Sequence, residues 1–178
     1  DGVEFRSHID GATVRLDART AIDVQEKLGA DVVMVFDQCP PLPCDDTTLR
    51  NAVERSIRWA KVCREVHSRR DQALFGIVQG GLDEGLRRHC AEALVRIGFD
   101  GHAIGGLSVG ESHEEMAAIL PRITECLPPD RPRYLMGVGM PRDILAAVSA
   151  GVDLFDCVLP TRNGRNSYAF TATGPLRL

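Results

Sequence analysis

From Asp31 onward the chain repeats one pattern: an apolar run, a polar or glycine-rich break, then a stretch with helical spacing of its apolar residues. The runs are "DVVMVFDQC" (31–39), "ALFGIVQGG" (73–81), "FDGHAIGGLSVG" (99–110), "RYLMGVGM" (133–140) and "VDLFDCVLP" (152–160). Short continuous apolar runs of this kind read as strands buried on both faces. After the first, Leu49, Val53, Ile57 and Ala60 recur at intervals that gather them on one helix face. Asp46 or Thr47 is the expected N-cap. "LDEGLRRHCAEALVRIG", "ESHEEMAAILPRITECL" and "PRDILAAVSAG" continue the series, with Pro141 suited to a helix start. Such alternation predicts an α/β fold with a parallel sheet. Residues 1–30 read as a short β excursion ending near Gly11, then the helix "ARTAIDVQEKLGA". No Gly- or Ser-rich linker breaks the chain, so one domain is expected.

About five strand-helix units are too few for a closed eight-stranded barrel of about 250 residues. The sheet is therefore open, or the barrel is incomplete. The chain does not begin with Met, which favours a piece of a longer chain and the second option. No apolar run approaches the roughly 18 residues that span a bilayer. The N-terminus lacks the features of a secretory signal, so a cytoplasmic protein without membrane contact is expected. Six cysteines stand singly, at 39, 44, 63, 90, 126 and 157, which favours reduced thiols. Cys39 and Cys44 have no second Cys or His pair at metal-ligand spacing, so no metal ligand is nominated. A net charge of −4 argues mildly against a nucleic-acid binder but leaves room for a local basic patch.

Each run ends in polar or glycine residues: Asp37-Gln38-Cys39, Gln79-Gly80-Gly81, Gly105-Gly106, Gly137-Val138-Gly139 and Asp156. In a parallel sheet these ends share the edge where active sites lie. Asp156 interrupts the last apolar run, just before a proline and an arginine-bearing loop. By position alone it is a residue of that mouth, a cap for the following arginine-bearing loop, or a partner for Arg162.

Taken together and in order, "FDQC", "FGIVQGG", "AIGGLSVGE", "YLMGVGMPRD" and "DLFDCVLPTRNGRN" resemble the tRNA-guanine transglycosylases of queuosine biosynthesis. "SHIDG" and "RSIRWA" extend the likeness over essentially the whole chain. The resemblance implies a (β/α)8 TIM barrel, incomplete here, with residues 1–178 forming part of a single catalytic domain. It implies exchange of the wobble guanine of tRNA for a 7-deazaguanine base by double displacement. Asp156 matches the nucleophile that attacks the anomeric carbon of the ribose. A carboxylate suits that task, because two inversions at an oxocarbenium-like centre restore the configuration.

The same resemblance assigns Asp37 to the ring N–H and amine of the base, with Gln79 and the Gly106 N–H donating to its carbonyl. Cys39, Gly105 and Gly137 fall in the base pocket, and Leu107 and Met136 supply apolar faces. Gly137, Val138, Gly139, Met140, Pro141, Arg142 and Asp143 match one RNA-contacting segment; Thr161, Arg162, Asn163, Gly164 and Arg165 match another. Val109 points to the small 7-aminomethyl-7-deazaguanine. The implied partners are tRNA with guanine at the wobble position, the deazaguanine base, and a second copy in a homodimer. The implied general acid/base belongs upstream of residue 1. The ligands of a structural Zn²⁺ belong beyond residue 178, which leaves no cofactor within this chain. Read singly, these residues have blander roles: a helix cap for Asp37, a loop hydrogen bond for Gln79, a turn for Gly106, core packing for Leu107 and Met136. "GVG" alone also fits a phosphate-binding barrel, and paired carboxylates also fit a retaining glycosidase.

Overall fold

The apolar runs pair side by side, and each strand ends before the polar or glycine residues that close its run. The structure, a computed structural model, describes residues 2–178. Its centre is a curled five-stranded parallel sheet in sequence order, β3 (Val32–Met34), β4 (Ala73–Val78), β5 (Gly101–Ile104), β6 (Arg133–Leu135) and β7 (Leu154–Phe155). Helices α1 (Ala18–Leu28), α2 (Asp46–Val66), α3 (Glu84–Ile97), α4 (His113–Thr124) and α5 (Pro141–Ser149) alternate with the strands. Each helix packs against the next in chain order. This is half of a (β/α)8 barrel, the incomplete barrel that the five units predict.

The predicted face of α2 is buried, with Leu49, Val53, Ile57 and Ala60 all in the core. Its cap is Asp45, one residue before the expected Asp46 or Thr47. Asp45 Oδ1 accepts from Thr48 N at 2.8 Å and its Oδ2 from Thr48 Oγ1 at 2.6 Å. Asp46 instead occupies the first turn, where its charge faces the positive end of the helix dipole.

Two further expectations need correction. The β excursion does not end at Gly11, which lies between β1 (Val3–Arg6) and β2 (Thr13–Leu16) of an antiparallel hairpin, at φ 72°. The segment after Asp156 is not a loop but a short helix, α6 (Leu159–Arg165). Pro160 reads as a breaker in sequence, yet in a first turn its missing N–H and fixed φ cost nothing. A second hairpin, β8 (Tyr168–Thr171) with β9 (Gly174–Arg177), follows it without having been anticipated.

Register decides which side chains share the inner face of the curl. Ile77 pairs with Ala103, Ala103 with Tyr134, and Tyr134 with Leu154, which makes one row across the sheet. The hydrogen bonds Gly105 N to Val78 O and Met136 N to Ile104 O carry the ladder further. With a side-chain period of two, the next row is Gln79, Gly105, Met136 and Asp156. The opposite face packs on the helices. There Gly76 lets the Phe99 ring approach, because a Cβ at that position would stand 2.8 Å from Phe99 Cδ2.

Phe99 meets His102 edge to face, with ring centroids 6.4 Å apart. His102 is 1% exposed, and neither ring nitrogen has a hydrogen-bond partner among the described residues. Burial first, and then the charges of Arg131 and Arg133, pull its imidazole from 6.5 down to about 4. Between those two values the unfolded chain binds a proton that the folded chain refuses. Stability is therefore expected to be intact above 6.5 and to fall as pH drops toward 4, by on the order of 3 kcal/mol. Urea titrations across that range should show the slope, and His102→Phe should flatten it.

Candidate active site

The inner row meets the mouth of the sheet at two polar centres. In the first, Gln79 Nε2 donates to Asp37 Oδ2 at 2.6 Å. Gln79 is 2% exposed, and its Oε1 has no partner among the described residues. Its amide is wedged against Gly105 and Gly106. A Cβ on Gly105 would lie 2.7 Å from Gln79 Nε2, and one on Gly106 would collide with Gln79 Oε1. Gly106 also sits at φ 63°, a conformation that glycine alone adopts freely. Burial raises the Asp37 carboxyl above its ordinary 3.8, and the Gln79 hydrogen bond opposes the rise. Cys39 joins this centre: burial and the Asp37 charge push its thiol up, while Arg87, the Gln79 amide and the Gly106 N–H pull it down.

Asp37 reaches this centre because the regular pairing of β3 stops at Met34. Beyond it, helix α2 takes hold of the strand end. Phe36 N donates to Cys63 Sγ at 3.3 Å, and the Phe36 ring stacks on Trp59 at 4.7 Å between centroids. Gln38 N donates to Ser56 Oγ at 2.9 Å, and Gln38 Oε1 accepts from Arg55 Nη1 at 2.5 Å. The "RSIRWA" stretch is thus the buttress of "FDQC".

The second centre is Asp156, exposed just beyond β7. Its Oδ1 accepts from Tyr134 Oη at 2.6 Å and from Gly137 N at 2.7 Å. Oδ2 has no hydrogen-bond partner among the described residues. The carboxylate is therefore oriented by one oxygen and open at the other. Burial, together with the Asp156 hydrogen bond and charge, pushes the Tyr134 hydroxyl up to about 12, so it stays a neutral donor at working pH. The structure does not pair Asp156 with Arg162; no such ion pair occurs among the described residues.

A family model described as queuine tRNA-ribosyltransferase matches residues 1–178. The chain belongs to that family. Proteins of the same name include one from Marinobacter nauticus, 52% identical over 177 residues, covering 99% of this chain and 48% of the relative. Another, from Halothermothrix orenii, is 51% identical over 176 residues, covering 99% and 47%. A third, from Zymomonas mobilis subsp. mobilis, is 50% identical over 183 residues, covering 100% and 47%. The chain spans about half the length of these relatives.

Against the queuine tRNA-ribosyltransferase pattern, the other nominated residues are distributed as follows. Leu107 is 3% exposed and Val138 2%, so both side chains are buried at the strand ends. Met136 is half-buried. Gly139 closes against Cys157, which leaves no room for a Cβ. Pro141 opens α5, with Met140 before it, and Asp143 in its first turn accepts from His113 at 2.5 Å and lies 3.6 Å from Arg142 Nε. Thr161, Arg162, Gly164 and Arg165 are exposed on α6, and Asn163 is half-buried.

Sequence reasoning misses three residues that shape the site. Tyr134 carries no motif signal of its own. Glu111 accepts from Ser108 N and, at 3.1 Å, from Val109 N, which pins the loop around Val109. Arg87 was visible as a cation on an apolar stripe with Cys90, Ala91 and Leu94, and it is fully buried. A cavity of about 630 Å³ lies at the opposite end of the strands, lined by Arg64, Arg69, Arg70 and Asp100 among others. No helix is long and apolar enough to cross a membrane among the described residues.

The Asp37–Gln79 bond makes a signed prediction. Because Gln79 favours the charged carboxylate, Gln79→Leu should raise the Asp37 pKa further. Carbon-detected NMR titration of both forms checks this, and a downward move would contradict the geometry.

Proposed function

We propose that this chain carries the base-exchange centre of a tRNA-guanine transglycosylase. The observation that supports it most is Asp156, gripped through Oδ1 and open at Oδ2, in one strand-end row with Gln79 and Gly105. In this reading Oδ2 attacks C1′ of the ribose at the wobble guanine. The C1′–N9 bond breaks and its electron pair leaves with guanine, which takes up a proton. The incoming 7-deazaguanine then attacks C1′ through its ring nitrogen and gives up its own N–H proton, while the C1′–Oδ2 bond breaks and returns the carboxylate. The group that supplies and removes the proton belongs to a segment upstream of residue 1.

Asp37 accepts from the ring N–H and exocyclic amine of the base, for which an ionised, half-buried carboxylate is well matched. Its raised pKa sets the sign of the pH effect: base affinity is lost on acidification at a higher pH than an ordinary aspartate would give. Gln79 and the Gly106 N–H face the carbonyl side. The target nucleotide leaves its stack at a cost of a few kcal/mol. Arg142, Arg162 and Arg165, all near the mouth and bearing charge, offset it by holding phosphates. Cys39, Leu107, Met136 and Gly137 complete the pocket, and Val109 leaves room for an aminomethyl group but not for a bulkier substituent. We assign no metal ligand to this chain. A structural Zn²⁺ would draw its ligands from beyond residue 178, and the working unit would be a homodimer with residues 1–178 as part of one catalytic barrel.

Denaturing electrophoresis with tRNA tests the chemistry in the full-length protein. Wild type should give a covalent RNA adduct, and Asp156→Asn should abolish it and slow exchange by at least about 10³-fold. An adduct that survives the substitution would remove Asp156 from the reaction. Tyr134→Phe should lower kcat by about tenfold with little change in the KM for base, because it removes one charge-assisted hydrogen bond to the nucleophile. Competition between 7-aminomethyl-7-deazaguanine and queuine tests Val109, and preferential uptake of queuine would count against its role.

A further inference from the structure

Arg87 has no part in that scheme, yet it is a fully buried cation. It is 1% exposed on the inner face of α3. Its Nε donates to Gly81 O at 2.8 Å, Nη1 to Val78 O at 3.0 Å and Gly105 O at 2.6 Å, and Nη2 to Gly106 O at 3.1 Å. Every partner is a main-chain carbonyl at the exit of β4 or β5, and none is a carboxylate. Burial lowers its pKa to about 10, so it remains a cation at neutral pH. An aliphatic side chain would fill this space without desolvating a charge. What the guanidinium adds is a rigid fork of donors and a positive field behind two loops.

We propose that Arg87 is a positioning and specificity-determining residue, which acts through the Gly105–Gly106 peptide to make the Gly106 N–H a charge-assisted donor for the carbonyl of the bound base. The inference rests on the base-exchange reading and deepens it. The oxygen of that peptide, Gly105 O, takes the shortest of the four bonds from Arg87, and the same peptide carries the Gly106 N–H. A carbonyl bonded to a cation polarises its peptide and strengthens the N–H at the other end. Orientation is locked as well. Gly106 stands at φ 63°, with no room for a Cβ beside Gln79, and its own carbonyl is held by Nη2. Gly106 lies against the Gln79 amide, which itself bonds Asp37, so the peptide stands at the same centre as both.

The result is an edge of two polarities. Asp37 offers a negative acceptor, and the peptide backed by Arg87 offers a positively assisted donor. A lactam edge, with N–H beside C=O, matches both; an adenine-type edge reverses them and is refused twice over. Lysine cannot replace the fork, because three donors on a point charge cannot reach four separate carbonyls.

The test uses the full-length protein and two free bases, guanine and 6-thioguanine, which share their N–H edge and differ in the acceptor atom. Equilibrium binding is measured for wild type and for Arg87→Lys, with thermal melts alongside. Wild type should prefer guanine by well over tenfold. Arg87→Lys should weaken guanine by about tenfold or more, leave 6-thioguanine within about threefold, and raise the KM for guanine more than it lowers kcat. Equal weakening of both bases would make Arg87 a fold residue only and overturn the proposal. Should the variant lose its cooperative melt, wild type alone decides, and equal affinity for the two bases overturns it. The two readings fail separately: a wild type that exchanges no guanine into tRNA defeats the activity, whereas free-base binding blind to the acceptor atom defeats the role of Arg87.

Discussion

Two strands of a parallel sheet must part where their ladder ends, and in this protein one buried guanidinium holds the parting in shape. The carbonyls of Val78, Gly81, Gly105 and Gly106 leave the β4–β5 ladder in different directions, and Arg87 collects all four. A buried cation without acceptors would cost more than the fold can spare. Its bonds are therefore obligatory, and so is the geometry of the loops that supply them. Gln79, Gly105 and Gly106 stand where they do because this arrangement leaves them no freedom to stand elsewhere.

The same solution recurs around the mouth with weaker groups. At the ends of β3 and β4, helix side chains satisfy backbone groups that have lost their ladder partners. Cys63 accepts the N–H of Phe36, Cys90 accepts that of Gln79 at 3.4 Å, and Ser56 accepts that of Gln38. On the outer edge of β3, Gln25 from α1 bonds both the N–H and the carbonyl of Met34 at 2.9 Å. The helices are thus more than a covering layer. Their polar positions hold the strand ends at the mouth, and their apolar positions hold the helices on the sheet.

Much of this was legible in the sequence, and the limits have physical causes. Alternation of apolar runs with helical stretches suffices for the parallel sheet, because each period reflects which faces are buried. Strand-end polarity suffices to nominate Asp37, Gln79, Gly105 and Asp156. Tyr134 could not be seen, since its hydroxyl meets Asp156 only through the pairing of β6 with β7. The helical state of α6 was hidden because a proline reads as a breaker until its place in the first turn is known. Arg87 was half visible: its stripe position shows burial, but not that its partners would be carbonyls.

The sequence by itself determined the element order, the sense of the sheet and the edge on which the polar residues gather, because these follow from local periodicity. Only the tertiary structure decided which of those residues touch. Register places Gln79, Gly105, Met136 and Asp156 in one row, and the buried fork of Arg87 joins two loops that lie 24 and more residues apart in the chain, from Gly81 to Gly105. Contacts of that range depend on how strands align in space, and no local pattern encodes an alignment between distant segments.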